Sequence, residues 1–508
     1  MPMTLAPRLA LVLVLAAGLN SAGAQPKPER PDRPPQQQQQ QSGPVNGKGV
    51  LRLLPADSVT EHSVETAQGR LAYTATAGTL PFYDQSGEQS AAIFYVAYVA
   101  KDRGANRPLT FVFNGGPGAG SAFLNLGLVG PRHLALGPQA RDAATARLTD
   151  NADTWLAFTD LVLVDPVGTG WSRAAKPDDA KNFWSVRGDA DAMAKAIALY
   201  VSRNNRAETP LYLLGESYGG FRAAKTATAL KREQGLSVSG IVMLSPLLEG
   251  WLTFGDDQSA LRAALELPSL AATNLEHTNR LTPATLAAAE KFALGDYLTA
   301  LAGPPLQGEA ARAFYTRVAD MTGLPIETVT QARGFVTDAF VKALHAGKMV
   351  SRYDATYAVD DPFPERQGSR GPDPILDGVA RAYGGAFAAY ARNELGFKTE
   401  MTYNLLASDI AGHWDWGGGG RGQAGVDSEL RVLLSFSPRF RLLIGSGLSD
   451  LVTPYAETRY VLDHLPPSDP PGRAVLKTYR GGHMLYLDAQ SRKAFTADAA
   501  AFYKGGTE

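Results

Sequence analysis

Hydrophobic and polar positions along the chain fall into two regimes. From Leu51 the pattern is β-prone, with alternating or solidly apolar runs at 69–83, 91–100 and 109–113 that read as the entry strands of a sheet. A strand at 161–164, a helix over 185–204, a strand at 211–214, a helix from 217 to about 233 and a strand at 241–244 follow. Strands that alternate with helices call for a mostly parallel central sheet flanked by helices. After Gly250 the period changes, and 260–267, 282–301, 309–322, 335–346 and 376–393 all favour helices, with little strand signal between them. Strand pattern returns at 440–444 and 474–478, each run ending in a glycine-marked loop that holds an ionisable residue. The expected organisation is an α/β domain formed by 50–250 and 436–508, with a large helical cap insertion at 251–435. No internal repeat is present.

The amino terminus departs from both regimes. Arg8, an apolar stretch from Leu9 to Ala17 and the small-residue exit Ala22-Gly23-Ala24 before Gln25 have the form of an export signal. A membrane anchor needs about 18 continuous apolar residues, more than this run supplies. Residues 1–24 are therefore expected to be removed, leaving an exported protein, periplasmic or secreted, with no stable membrane insertion. Residues 25–49, with Pro34-Pro35 and the glutamine run Gln36 to Gln41, hold too little apolar surface to offset the entropy of ordering and read as a linker.

Composition narrows the chemistry. The formal net charge is −1, from 49 basic and 50 acidic residues, so no global field draws the chain to nucleic acid or to an anionic membrane. The absence of cysteine excludes thiol catalysis, cysteine metal sites and disulfides, even though export would permit the last. At 508 residues the chain suits one large core carrying an insertion.

Gly215-Glu216-Ser217-Tyr218-Gly219 fits the G-x-S-x-G elbow, with a strand before it and a helix after it, and this implies an α/β-hydrolase fold with Ser217 as nucleophile. A serine attacks only with a base beside it, and this fold orders its triad serine, acid, histidine. Of seven histidines, His483 lies in a loop directly after the last expected strand, whereas His277, His345 and His413 fall in the insertion and His464 in a connection. Asp450 occupies the loop after the preceding strand and is the expected orienting acid. The Tyr218 amide, following the nucleophile, supplies one oxyanion donor. Gly116, in Asn114-Gly115-Gly116-Pro117-Gly118, is the expected second. Those glycines fit neither a dinucleotide fingerprint nor a P-loop.

These segments, with Asn151 to Trp155, Asp165 to Ser172 and Gly482-His483-Met484, resemble the serine carboxypeptidases of the yeast and cereal type. The resemblance covers about 110–250 and 440–488, and the insertion carries no matching motif. It implies a triad of Ser217, Asp450 and His483 and an oxyanion hole of Gly116 and Tyr218. It further implies that Asn114 and Glu216 bind the free C-terminal carboxylate of a peptide, and that Met484 lines the leaving-residue pocket. No metal or cofactor is implied. Two like charges at close range cannot both stay ionised, so Glu216 beside a substrate carboxylate implies a shared proton and binding that favours acidic pH. The chain departs from the pattern at Ala119, which replaces a disulfide cysteine, and at Leu128, which replaces a second glutamate. Leu448 replaces an aspartate and Leu485-Tyr486 replaces Val-Pro. An esterase or acyltransferase using the same triad, and a catalytically silent binding protein, are the competing readings.

Overall fold

The computed structural model describes residues 49–101, 104, 106–137, 142–366, 368 and 371–505. The expected export signal and all but the last residue of the expected linker lie outside the described residues.

The main sheet is built from β1 (Ser58–Thr66), β2 (Gly69–Tyr83), β3 (Gln89–Ala100), β4 (Leu109–Phe113), β5 (Asp160–Val164), β6 (Leu211–Glu216), β7 (Gly240–Leu244), β8 (Arg441–Gly447) and β9 (Ala474–Tyr479). Their spatial order is β1-β2-β3-β5-β4-β6-β7-β8-β9, and the short strand Arg173–Ala174 pairs with β3. β1, β2, β3 and β5 pair antiparallel in turn. From β5 onward every pairing along the sheet is parallel.

The solid apolar runs have a direct cause: both faces of the central strands are buried. In β3, Ile93, Tyr95 and Ala97 enter one hydrophobic cluster while Ala92, Phe94, Val96 and Tyr98 enter the other. In β6, Leu211 and Leu213 face the first, and Tyr212 and Leu214 the second. The helices Val186–Arg203 and Tyr218–Ala229 cover one face through Met193, Ile197, Phe221 and Ala224. Phe495 and Phe502 of the helix Ala489–Lys504 pack on the opposite face. Ser185 caps the first of these helices, accepting from the Gly188 amide at 2.9 Å.

Between β7 and β8 the chain runs through a mainly helical excursion whose parts pack differently. Ala260–His277, Gly308–Thr322 and Thr337–Ala343 share a cluster of their own, with Leu267, Leu270, Val318 and Phe340 at its centre. Farther on, Tyr383 and Phe387 join the sheet's second cluster, and Leu430 and Leu433 join its first. Several local details differ from the sequence reading: β1 precedes the first expected strand, and Arg132–Ala135 pairs with Arg147–Asp150 in a small antiparallel sheet that was not expected. The stretch expected as one helix over 282–301 breaks near Gly295. The helix expected from 376 starts at Ala382. Lys348–Val350 and Ala358–Asp360 form a short antiparallel hairpin where little strand signal was read, and Asp427–Phe436 is an additional helix. A three-residue strand carries too few positions for periodicity to show.

No helix among the described residues is long and apolar enough to cross a membrane.

Candidate active site

Register brings the loops together. Phe113 lies beside Gly215, Leu244 beside Glu216, and Leu244 also beside Gly445, so β4, β6, β7 and β8 end level with one another. Asn114, Ser217, Asp450 and His483 therefore leave the same carboxyl edge of the sheet, where open parallel sheets build their sites.

Ser217 has φ 60° and ψ −126°, a left-handed conformation that L residues adopt at a cost of about 1–3 kcal/mol. The turn is held from both sides: the Ser217 amide donates to the Leu244 carbonyl at 2.9 Å, and the Ser217 carbonyl accepts from Gly220 at 3.0 Å and Leu247 at 3.2 Å. As first residue of its helix, Tyr218 has an N–H with no intrahelical acceptor. The glycine-rich loop presses on this turn. A Cβ on Gly115 would lie 2.6 Å from the Glu216 carbonyl oxygen, 2.7 Å from the Tyr218 nitrogen and 2.9 Å from the Ser217 Cβ. Only a bare backbone at Gly115 permits that approach.

His483 and Asp450 pair directly, Nδ1 to Oδ2, at 2.8 Å, and both are buried. Asp450 also accepts from the amides of Val452 at 2.7 Å and Thr453 at 3.1 Å. The Thr453 hydroxyl lies 2.9 Å from the Asp450 carboxylate, 3.2 Å from His483 Nδ1 and 2.9 Å from the Ser245 carbonyl. That web fixes the imidazole with Nδ1 toward the acid. Burial works against the imidazolium, but the Asp450 charge and hydrogen bond prevail, and His483 titrates above the ordinary histidine range.

Glu216, the last residue of β6 immediately before Ser217, is buried. Its carboxylate accepts from Asn114 Nδ2 at 2.8 Å, while Asn114 Oδ1 accepts from the Leu124 amide at 3.1 Å, so the amide's orientation is determined. The Tyr486 hydroxyl lies 3.0 and 3.3 Å from the two Glu216 oxygens. Burial pushes the Glu216 carboxyl up to about 7, opposed by the His483 charge and by the Tyr486 and Asn114 bonds. Leu128 is fully buried, so no second carboxyl comes from that position. Met484 is buried directly beside His483 in the chain.

Other motif segments act as scaffolding. Asp165 accepts from the Ser121 amide at 2.6 Å, and Asn151 Nδ2 donates to the Leu128 and Gly130 carbonyls at 2.9 and 2.8 Å. Arg222, on the helix after Ser217, donates to the Asn114 carbonyl and pairs with Asp189 at 2.7 Å. Three contributors escaped the sequence reading: Thr453, Tyr486 and Tyr353. Tyr486 was visible there only as a departure from Val-Pro, and Tyr353 sits in the excursion, far away in sequence. The Tyr353 ring stands edge-on to His483 with centroids 5.2 Å apart, and its carbonyl accepts from the His483 amide at 2.6 Å. Tyr353, Leu451 and Val452 also border a cavity of about 1240 Å³, whose other walls include Arg262, Glu266, Thr337 and Arg352. Among the described residues no group of three or more histidines and acids is placed to hold a metal ion.

Residues 71–246 match the family model described as serine carboxypeptidase. Serine carboxypeptidase-like 41 of Arabidopsis thaliana is 28% identical over 169 residues, 31% of this chain and 34% of that protein. Pheromone-processing carboxypeptidase KEX1 of Yarrowia lipolytica is 28% identical over 163 residues, 32% and 24% of the two chains. The chain thus spans about a third or less of the length of these curated relatives. In overall fold it is similar to the crystal structure of KEX1(Δ)p, a prohormone-processing carboxypeptidase from Saccharomyces cerevisiae. The TM-score is 0.55 at 14% identity, covering 85% of this chain and 91% of that one. Over residues 71–246, which include the sheet edge that presents Ser217, the chain is thus similar to serine carboxypeptidases, and in overall fold it is similar to one of them.

Proposed function

We propose that this chain hydrolyses the last peptide bond of peptides with a free C-terminus, with Ser217, His483 and Asp450 as its triad. The observation that carries the reading is the buried Glu216–Asn114 pair adjoining the nucleophile. The Ser217 hydroxyl attacks the scissile carbonyl as His483 Nε2 takes its proton, and the Asp450 carboxylate stabilises the imidazolium. The Gly116 and Tyr218 amides receive the oxyanion, each such donor being worth about 3 kcal/mol. His483 then protonates the departing amine, and water repeats the sequence on the acyl-serine.

In this reading Asn114 donates to the substrate carboxylate, and Glu216 takes up a proton so that it also donates. A carboxyl that titrates near 7 accepts that proton readily, so carboxypeptidase turnover should fall as pH rises through about 7. An ester or acyl-transfer substrate would leave the pair with no carboxylate to hold. The same proposal takes 1–24 as an export signal, which amino-terminal sequencing of the exported protein tests.

The decisive assay compares matched peptides with free and amidated C-termini. Release of single amino acids from the free form only is expected, and Ser217→Ala should lower kcat by about 10⁵-fold or more. Equal cleavage of both forms would remove the reading.

A further inference from the structure

The geometry points to Tyr486 as a positioning residue whose hydroxyl, through Glu216, sets the pH range over which substrates with a free carboxylate are bound. The inference rests on the carboxypeptidase reading and concerns a residue outside the triad, the oxyanion donors and the Asn114–Glu216 pair.

Tyr486 is buried in the short helical turn Leu485–Leu487, with its hydroxyl 3.0 and 3.3 Å from the two Glu216 oxygens. Its ring lies on bare backbone: a Cβ on Gly127 would come 2.5 Å from the Tyr486 Cε2 and 3.2 Å from the Tyr383 hydroxyl. The neighbour Leu128 is fully buried. A phenol thus reaches Glu216 across a slot kept open by one glycine.

Each group that faces Glu216 can be assigned an effect. The His483 charge favours the carboxylate, and the Asp450 charge opposes it. Asn114 donates to it from the loop after β4. Tyr353 and Tyr383 stand close enough to feel its charge, and the Tyr383 hydroxyl is buried without a hydrogen-bond partner among the described residues. Tyr486 is therefore the tyrosine of this group that donates to the carboxylate. Burial and the Glu216 charge hold the Tyr486 phenol well above the ordinary tyrosine range, so it remains a protonated donor at any working pH.

Ionised, Glu216 accepts the Tyr486 O–H as a charge-assisted bond. When a substrate carboxylate arrives, Glu216 takes one proton from solvent and directs it at the substrate, and the Tyr486 bond is left with a neutral, weaker acceptor. The hydroxyl thus favours the anion over the acid and holds down the proton affinity that burial raises. A hydrogen bond to a charged acceptor corresponds to a displacement of about one to two pH units.

The test uses the full-length wild-type enzyme and Tyr486→Phe, with an N-acylated dipeptide bearing a free carboxylate and the ethyl ester of an N-acylated amino acid as probes. For the dipeptide, the pH at which KM begins to rise should move upward by about one unit or more in Tyr486→Phe. Ester turnover should keep its wild-type pH profile, because no substrate carboxylate is involved. Tyr383→Phe, which removes an unpartnered hydroxyl from the same surroundings, should leave both profiles in place. An unmoved dipeptide limb in a folded Tyr486→Phe enzyme overturns the inference, as does an equal displacement for dipeptide and ester, which would place the effect on His483. Equal wild-type cleavage of free and amidated peptides would instead remove the carboxypeptidase reading beneath it.

Discussion

Arg222→Met isolates what the buried ion pair under the elbow does. Arg222 and Asp189 side chains are 0% and 3% exposed, and they meet at 2.7 Å. Removing the arginine leaves a carboxyl with no counter-charge, and breaking a buried pair in this way destabilises by about 3–5 kcal/mol. The deficit carries a pH signature. Burial already holds Asp189 above the usual aspartate range, and Arg222 is what draws it down. Without Arg222 the folded protein binds that proton more tightly still than the wild-type fold does. The deficit is therefore smallest at acid pH, where Asp189 is protonated in both folded proteins, and grows as pH rises toward the variant's folded-state pKa, by at most about 1.4 kcal/mol per unit. Urea unfolding at pH 5 and pH 8 measures it.

The double variant Arg222→Met/Asp189→Leu separates stability from positioning. With both charges gone, stability should return to within about 2 kcal/mol of wild type, since apolar replacements for buried pairs are often close to neutral. Catalysis should not return, because Arg222 also holds the Asn114 carbonyl, where the glycine-rich loop begins. Full recovery of kcat in the double variant would refute the positioning argument. A single-variant loss below about 1 kcal/mol would refute the electrostatic one.

Three further outcomes are expected. Gly115→Ala should lower kcat by about 10²–10³-fold with little change in fold, because the added Cβ would fall within 2.9 Å of Glu216, Ser217 and Tyr218 atoms and push the glycine-rich loop away from the elbow; near-wild-type kcat would show that the loop yields without penalty. Glu457 is held at about 8 by burial and by neighbouring Glu266, so its stabilising contribution is present below about 4.5 and lost as pH rises through 8. Glu457→Gln should flatten Tm between pH 5 and 9, and an undiminished slope would count against that assignment. Thr453→Val removes the hydroxyl that joins Asp450 to the Ser245 carbonyl and should cost about 1 kcal/mol in stability together with a lower kcat/KM. Unchanged kcat/KM would show that the two backbone amides suffice to orient Asp450.

Much of this architecture is readable one residue at a time. Strands buried on both faces leave solid apolar runs, and β2 and β4 span the 69–83 and 109–113 expected from them. Ser185 announces a helix start because an N-cap is a local, covalently close interaction. The elbow is legible because a strained strand-to-helix turn tolerates few side chains, and chain order narrows the acid and base to Asp450 and His483.

Contacts between segments distant in sequence leave no such trace. Tyr486 and Glu216 are 270 residues apart, and their hydrogen bond exists only because β6 and the loop after β9 reach the same edge of the sheet. Tyr353 reaches His483 from a hairpin inside the helical excursion. The excursion itself divides between a cluster of its own and the two faces of the sheet, a partition set by which apolar surfaces meet rather than by periodicity. Local pattern and chain order thus determined the sheet, the elbow and the identities of the candidate triad. Only tertiary packing decided the surroundings of Glu216, because burial, neighbouring charges and a phenol from the far end of the chain together set its hold on a proton.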